Sequence, residues 1–169
     1  MMNSTELKDQ CEAVLVAIPG TRSWSTFLGS LRLNVAATSL AASMSRLKDA
    51  GFNMLIDATA VDLLEYEGSV DRYRVVYQLL NLESGARLEV TTHVNDPEPQ
   101  VPSMMTLWSS ANWMEREVYD MFGIVFVGHP NHKRLLLPEE FASFPLRKDY
   151  PVKGRGERHN FPVVTRSES

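Results

Sequence analysis

One segment limits the possible folds more than any other part of the chain. It runs from Arg72 to Val94 and reads "RYRVVYQLLNLESGARLEVTTHV". Both halves alternate along their length, and Glu83-Ser84-Gly85 supplies a turn between them. The alternating positions are Tyr73, Val75, Tyr77, Leu79, Leu88, Val90, Thr92 and Val94. Alternation with a period of two residues around a short turn predicts a β-hairpin.

Helical and strand patterns surround this hairpin. "STELKDQCEAVL" has the spacing of a helix and stops before Pro19-Gly20. "SLRLNV" and "NMLIDATAVDLLEY" read as strands, the second buried on both sides for part of its length. "SLAASMSRLKDAG" predicts a further helix, capped by Ser39 and followed by Gly51 at a left-handed position. We therefore predict an α+β fold with a mainly antiparallel four-stranded sheet and helices packed on one face.

The pattern changes at "NDPEPQVP", which has three prolines in eight residues. Apolar residues at helical spacing then predict a helical segment within 103–122. Beyond Gly128, prolines recur at positions 130, 138, 145, 151 and 162, and no helical or strand period continues. We predict an α+β domain over residues 1–128, followed by an extended, Pro-rich and basic partner-binding tail over 129–169. Alone, such a tail is either disordered or ordered against a neighbour.

Composition narrows the classes of function. The 169 residues suit one domain, and no stretch approaches the ~18–20 uninterrupted apolar residues of a membrane span. The first residues resemble neither a signal peptide nor a transit peptide, so a cytoplasmic location is expected. Cys11 is the single cysteine, and one thiol makes neither an intrachain disulfide nor a cysteine-ligated zinc or iron–sulfur site.

Charge is divided unevenly between the two parts. Residues 1–128 carry 9 Lys and Arg against 16 Asp and Glu, whereas residues 129–169 carry 8 against 5. A basic tail beside an acidic body predicts an anionic neighbour for the tail, either the body itself or a partner. We expect no nucleic-acid partner, because the basic residues are sparse and no binding motif accompanies them.

The charged part of the predicted helix, "WMEREVYDMFGI" over residues 113–124, admits four interpretations. As a general acid and base, Glu115 and Glu117 would point to different sides of the helix, and the chain has no nucleophile elbow or phosphate loop. As metal ligands, the carboxylates could join His129 and His132, but no His-x-x-x-His pattern is present. The others are an ordinary solvated face, and an interface helix whose charges fix the orientation of a partner.

A resemblance favours the interface helix. "EREVYDMFGIVFVGHPNHKRLL" is similar to the signature of the C-subunit of proton-pumping NADH:quinone oxidoreductase, respiratory complex I. The matching positions are Glu115, Arg116, Glu117, Asp120, Met121, Phe122, His129, Lys133, Leu135 and Leu136. A second block of that family matches Pro145, Leu146, Arg147, Lys148, Asp149, Tyr150 and Pro151. The resemblance is strong over 103–154 and architectural before it. Ser143 and Phe144 depart from the family, which commonly has Gly and then His or Tyr there.

The resemblance implies a non-catalytic peripheral-arm subunit of an enzyme that couples electron transfer from NADH to quinone with proton translocation. NADH, FMN, iron–sulfur clusters and quinone would be bound by partner subunits, with no cofactor on this chain. Its partners would be the quinone-site and iron–sulfur subunits of a hetero-oligomer, which this chain would brace and assemble. It would lie on the cytoplasmic side of the cell membrane and meet the membrane only through partners.

Three alternatives to this assignment remain open. The first is the equivalent subunit of a membrane-bound hydrogenase or of a ferredoxin- or F420-dependent complex. The second is a stand-alone enzyme that uses the carboxylate cluster, and the third is a stand-alone α+β binding module.

Roles for individual residues follow from the matched positions. A charge network between domain and tail is expected to consist of Glu115, Arg116, Glu117 and Asp120, with Arg116 able to reach Asp120 at i,i+4. His129 is expected to be a hydrogen-bonded turn residue. Either Lys133 or Arg134 is expected to contact a carboxylate. The predicted partner anchor consists of Pro145, Leu146, Arg147, Lys148, Asp149 and Tyr150.

Overall fold

The predicted hairpin lies inside a five-stranded mixed sheet. The computed structural model describes residues 4–20 and 22–157. Its strands are β1 (Arg22–Phe27), β2 (Ser30–Val35), β3 (Met54–Asp62), β4 (Tyr73–Leu80) and β5 (Arg87–Val94), in the order β1-β2-β5-β4-β3. Neighbouring strands are antiparallel except β2 and β5, which are parallel. The predicted α+β class is confirmed, whereas the prediction of four strands is wrong.

The hairpin itself is confirmed residue by residue. β4 and β5 pair antiparallel, and the predicted alternating positions face one another across the two strands. The facing pairs are Tyr73–Val94, Val75–Thr92, Tyr77–Val90 and Leu79–Leu88. All of these side chains are buried, so they form the sheet side of the hydrophobic core.

The two outer strands explain where the sequence misled. β1 is an edge strand with mostly exposed residues, so its sequence "RSWSTF" carries no apolar alternation. In β3 the register shifts between Leu55 and Asp57, after which alternate residues are buried. The prediction that this strand is buried on both sides for part of its length is therefore wrong, because no two adjacent residues of β3 are both buried.

Two helices precede the hairpin in the sequence and pack on the core. α1 (Ser4–Leu15) and α2 (Leu40–Asp49) contribute buried residues such as Leu15 and Met44. Gly51 follows α2 with a φ of 98°, in the left-handed region as predicted. Ser39 does not cap α2 with its side chain, because its hydroxyl donates instead to the carbonyl oxygen of Ala36 at 3.1 Å.

The third helix, α3 (Ala111–Phe122), is shorter than the predicted segment. Residues 104–108 form a separate turn, in which the N–H groups of Leu107 and Trp108 donate to the carbonyl oxygen of Met104 at 2.9 Å. Two short strands, β6 (Gln100–Pro102) and β7 (Val125–Val127), pair in parallel on either side of α3 in the sequence. They fix both ends of the helical segment.

The tail follows the body through turns and bends over residues 129–156. It returns to α3 and to the end of β3 through hydrogen bonds and ion pairs. The division into a domain over 1–128 and a tail over 129–169 stays a prediction, and the last twelve residues of that tail lie outside the described residues.

Candidate functional site

α3 places its four charged residues in different environments. Glu115 and Asp120 are fully buried, Arg116 is half-buried and Glu117 is exposed. Successive helical residues are rotated by about 100°, so Glu115 and Glu117 point in directions about 160° apart. The two glutamates therefore do not form an acid–base pair.

Glu115 fastens the 104–108 turn to the middle of α3. Its carboxylate accepts hydrogen bonds from the Ser103 hydroxyl and from the Met104 N–H, both at 2.6 Å. Among the described residues, no Lys or Arg forms an ion pair with it. Burial raises the pKa of Glu115 to about 7, although the two hydrogen bonds favour the ionised form.

Asp120 fastens the tail to the other side of α3. One carboxylate oxygen accepts three consecutive backbone N–H groups at 2.7–3.0 Å, from Leu135, Leu136 and Leu137. The other oxygen accepts from the Arg134 guanidinium at 2.7 Å. Burial alone would raise the pKa of Asp120, but these four donors outweigh burial and hold the pKa below its usual range.

Arg116 reaches the same part of the tail by a different route. Its guanidinium donates to the carbonyl oxygens of Lys133 at 3.1 Å and Arg134 at 3.0 Å. The predicted contact of Arg116 with Asp120 does not form, because Asp120 is buried behind the tail and pairs with Arg134. Arg134 is thus the residue that contacts a carboxylate, and the Lys133 side chain is exposed.

The histidines are used to hold backbone. Nδ1 of His129 accepts from the Asn131 N–H at 3.1 Å, and its Nε2 lies 3.2 Å from the Asn112 carbonyl oxygen. Nε2 of His132 accepts from the Phe126 N–H at 3.1 Å. Within the described part of the chain, no group of three or more His, Cys, Asp or Glu is arranged to hold a metal ion.

The block over residues 145–150 closes the C-terminal end of α3. The Leu146 N–H donates to the Met121 carbonyl oxygen at 3.1 Å, and Nε of Arg147 donates to the Phe122 carbonyl oxygen at 2.6 Å. The last carbonyls of a helix have no partner within the helix, and cations are favoured near them. Pro145 and Tyr150 flank this contact and are half-buried.

The same block also reaches the sheet. The Lys148 N–H donates to the Asp62 carboxylate at 2.9 Å, and the Asp149 carboxylate lies 2.8 Å from the Arg72 guanidinium. Arg147 and Asp149, predicted as partner anchors, thus contact the chain's own body. Their role toward a partner stays a prediction.

Sequence reasoning missed three residues of this site: Ser103, Asp62 and Arg72. Asp62 carried one signal, since it is the acid among the buried core-facing positions of β3. Asp62 and Lys148 are 86 residues apart, so no local pattern connects them.

Phe144, one of the two residues that depart from the resemblance, contacts two arginines and the end of α3. Its ring lies 4.7 Å from the Arg147 guanidinium and 5.3 Å from that of Arg134. A Cβ at Gly123 would lie 2.6 Å from the Phe144 ring, so the chain needs glycine there. The Phe144 ring therefore packs between the tail and the end of α3 and orients two arginines by cation–π contact.

Fold and site together define the class: an α+β protein whose extended C-terminal segment is fastened to one helix and to the sheet by buried carboxylates. The family model described as "Respiratory-chain NADH dehydrogenase, 30 Kd subunit" matches residues 33–156. The chain belongs to this family, whose members are the 30 kDa subunits, or C-subunits, of complex I.

Named relatives agree with this assignment. The chain is 41% identical over 131 residues to NADH-quinone oxidoreductase subunit 5 of Thermus thermophilus, a match covering 74% of this chain and 63% of that protein. It is 39% identical over 169 residues to the C-subunit of NADH-quinone oxidoreductase from Burkholderia mallei, covering 95% of this chain and 82% of the relative. The chain thus spans less than two thirds of the length of the Thermus relative.

Two solved structures share the fold. One of them, Nqo5 of the trypsin-resistant fragment (1-134), aligns with a TM-score of 0.67 and 34% identity, covering 77% of this chain and 99% of that one. A chain of an archaeal membrane-bound sulfane sulfur reductase aligns with a TM-score of 0.75 and 22% identity, covering 97% and 96%. The second likeness shows the fold alone. Across the part of the chain that the structure describes, no helix has the length and apolar character to cross a bilayer.

Proposed function

We propose that this chain is a peripheral-arm subunit of a membrane-bound NADH:quinone oxidoreductase that couples electron transfer with proton translocation. It braces and assembles the quinone-site module and performs no chemistry itself. NADH, FMN, iron–sulfur clusters and quinone are bound by partner subunits. The chain lies on the cytoplasmic side of the cell membrane and is held there by those partners.

The observation that carries this proposal is how the signature charges are used. Asp120 and Arg116 bind five backbone groups of the tail between them, so these charges set the shape of the chain. Charged side chains that are paired in this way give register and orientation more than net affinity. A subunit with this arrangement presents a fixed surface to its neighbours.

The test is co-purification of the tagged full chain with the quinone-site subunit from cells that make the whole complex. Deletion of residues 145–169 is expected to abolish co-purification while the sheet domain stays folded, as followed by far-UV circular dichroism. Undiminished co-purification of the deleted chain would rule out the tail as an anchor.

A point variant separates partner binding from folding. Lys148 binds the body through its backbone N–H while its side chain is exposed, so Lys148→Glu leaves the internal hydrogen bond in place. We expect Lys148→Glu to weaken co-purification and to leave the melting temperature unchanged. Lys8→Glu, an equal charge change at an exposed position of α1, is the matched control.

A second candidate function is the equivalent subunit of a complex with another electron donor. A chain of the archaeal sulfane sulfur reductase has a similar fold, and the fold does not specify the electron donor. Membranes containing the complex should reduce quinone with NADH, and deletion of this subunit should remove that activity. Activity with reduced ferredoxin or hydrogen, but not with NADH, would favour the second candidate.

A further inference from the structure

Arg72 joins three separated parts of the chain. Its guanidinium lies 3.2 Å from the carboxylate of Asp62, at the end of β3, and 2.8 Å from that of Asp149, in the tail. It also forms an ion pair with Asp96, which follows β5. Two of these carboxylates belong to the body, and the third arrives with the tail.

The tail contributes a second arginine, Arg147, to these contacts. The Arg147 guanidinium lies 5.3 Å from the centre of the Tyr73 ring and 3.8 Å from the Asp96 carboxylate. Its Nε donates to the Phe122 carbonyl oxygen at the end of α3. Arg72 of the body thus contacts a carboxylate of the tail. Arg147 of the tail contacts a carboxylate and an aromatic ring of the body.

The tail joins an existing charge cluster of the body. Asp62 and Asp96 bring two negative charges to that cluster, and Arg72 brings one positive charge. The tail adds one charge of each sign: Arg147 pairs with Asp96, and Asp149 pairs with Arg72.

The buried carboxylate also needs an amide from the tail. The Asp62 side chain is fully buried and accepts from the N–H groups of Leu64 and Lys148 as well as from Arg72. Loss of a donor to a buried carboxylate is costly. The body side therefore fits a segment that brings a guanidinium, an amide and a carboxylate in succession, which is the order in Arg147-Lys148-Asp149.

We propose that Asp62, Arg72 and Asp96 form a docking site for Arg147-Lys148-Asp149 of the tail. This site sets the course of the tail before any partner binds. The inference rests on the proposed function, since the docked tail directs the side chains of Leu146, 53% exposed, and Lys148 away from the body and toward a partner subunit. Arg72 is a positioning residue, because it acts through Asp149.

The consequence for binding is a matter of populations. A segment that is ordered beforehand does not pay its ordering entropy when it binds. If only a fraction of molecules has the tail docked, the apparent affinity for the partner equals the intrinsic affinity multiplied by that fraction. Opening the site in nine molecules out of ten would weaken binding about tenfold.

Amide hydrogen exchange on the full chain tests the docking directly. In Arg72→Gln we expect the Lys148 amide to exchange at least about tenfold faster, because exchange tracks local opening. Amides inside β4 and β5 should keep their protection. Arg74→Gln is the matched control, since Arg74 lies two residues further along, and its Nε donates to His93.

A second variant guards against a folding defect in the first. Asp149→Asn removes the tail's half of the pair with Arg72 from a side chain that is half exposed. We expect it to raise Lys148 exchange as Arg72→Gln does, and the double variant to exchange no faster than Arg72→Gln alone. Unchanged exchange in both single variants would overturn the docking site.

Assembly of the complex separates positioning from stability. We expect Arg72→Gln and Asp149→Asn to weaken co-purification with the quinone-site subunit, with partial recovery in Arg72→Lys. Faster exchange with undiminished co-purification would overturn the positioning role. Failure of the wild-type chain to co-purify would overturn the proposed function instead, and the exchange result would still decide whether the tail docks.

Discussion

Each side of α3 holds a neighbouring segment through a buried carboxylate, but the two carboxylates differ in pKa. On one side Glu115 holds the 104–108 turn, and on the other Asp120 holds the tail. Both side chains are fully buried. Even so, the pKa of Glu115 is raised to about 7, whereas that of Asp120 lies below its usual range.

The number and charge of the donors make this difference. Asp120 receives three backbone N–H groups and a guanidinium, so its charge is compensated where it is buried. Glu115 receives one N–H and one hydroxyl and no cation from the described residues. Two equally buried carboxylates can therefore have pKa values shifted in opposite directions. Asp120 is a fixed charge that organises a chain segment, and Glu115 is an acid that can change its protonation near neutral pH.

The largest expected effect comes from Asp120→Asn. The amide can offer its oxygen to the three N–H groups only by turning its own NH2 toward the Arg134 guanidinium. Breaking a buried ion pair by removing one partner typically costs ~3–5 kcal/mol, and Asp120 is the fully buried partner of this pair. Urea unfolding at pH 7 should show this loss.

Asp57→Asn is the matched control for that experiment. Asp57 is exposed on β3, so the same chemical change should alter the free energy of unfolding by less than about 0.5 kcal/mol. Equal stability of Asp120→Asn and Asp57→Asn would show that the charge of Asp120 does not stabilise the fold.

Glu115→Gln should have a smaller effect that depends on pH. The pKa of Glu115 is raised from 4.5 to about 7, so between those values the folded state binds more protons than the unfolded state. The free energy of unfolding contributed by Glu115 therefore falls as pH rises through this window, by up to about 3 kcal/mol, and is level above it. Glutamine does not titrate and should remove this slope.

The measurement is urea unfolding of both proteins between pH 5 and pH 8. Burial lowers the pKa of His93 and of His132, which gives a slope of opposite sign, but both proteins share it. The difference between them reports Glu115 alone. Relative to the wild type, Glu115→Gln should gain stability as pH rises from 5 to 7. Parallel profiles would show that Glu115 does not change protonation in this range.

The parts that sequence could predict are those with a local period. The hairpin and α3 have one, because alternate or every third to fourth residue must face the core. β1 has none, since it is an exposed edge strand, and the parallel pairing of β2 with β5 joins segments with no shared local signal.

The sequence indicated the charged residues of α3 but not Ser103, Asp62 or Arg72, and it did not indicate how the charges pair. The sequence places Asp120 and Arg116 in one charge cluster, yet each takes its partners from residues 133–137. The choice between Arg116 and Arg134 for Asp120 depends on which cation the folded tail brings beside a buried carboxylate. Spacing along one helix contains no information about that approach.

Arg116→Lys should cost less than either carboxylate change. The guanidinium donates to two carbonyl oxygens of the tail, whereas an ammonium is a point charge that cannot reproduce the fork. Loss of one such hydrogen bond on a half-buried side chain is worth about 1 kcal/mol. Hydrogen exchange should show local opening near residue 133 with the Lys148 amide unaffected. Opening at both places would mean that the tail is released as one unit.

Glu117→Gln should have the smallest effect on the isolated chain. Glu117 is exposed on α3, and its side chain forms no ion pair with any other described residue. Substitution should change the free energy of unfolding by less than about 0.5 kcal/mol. Because the chain's own tail uses Asp120 and Arg116, we propose Glu117, the exposed charged side chain of α3, as a contact for a partner. We therefore expect Glu117→Gln to weaken co-purification with the quinone-site subunit at an unchanged melting temperature, and Glu67→Gln, an equal change at an exposed residue, to leave both unchanged. A fall in melting temperature without loss of co-purification would instead assign Glu117 to the fold.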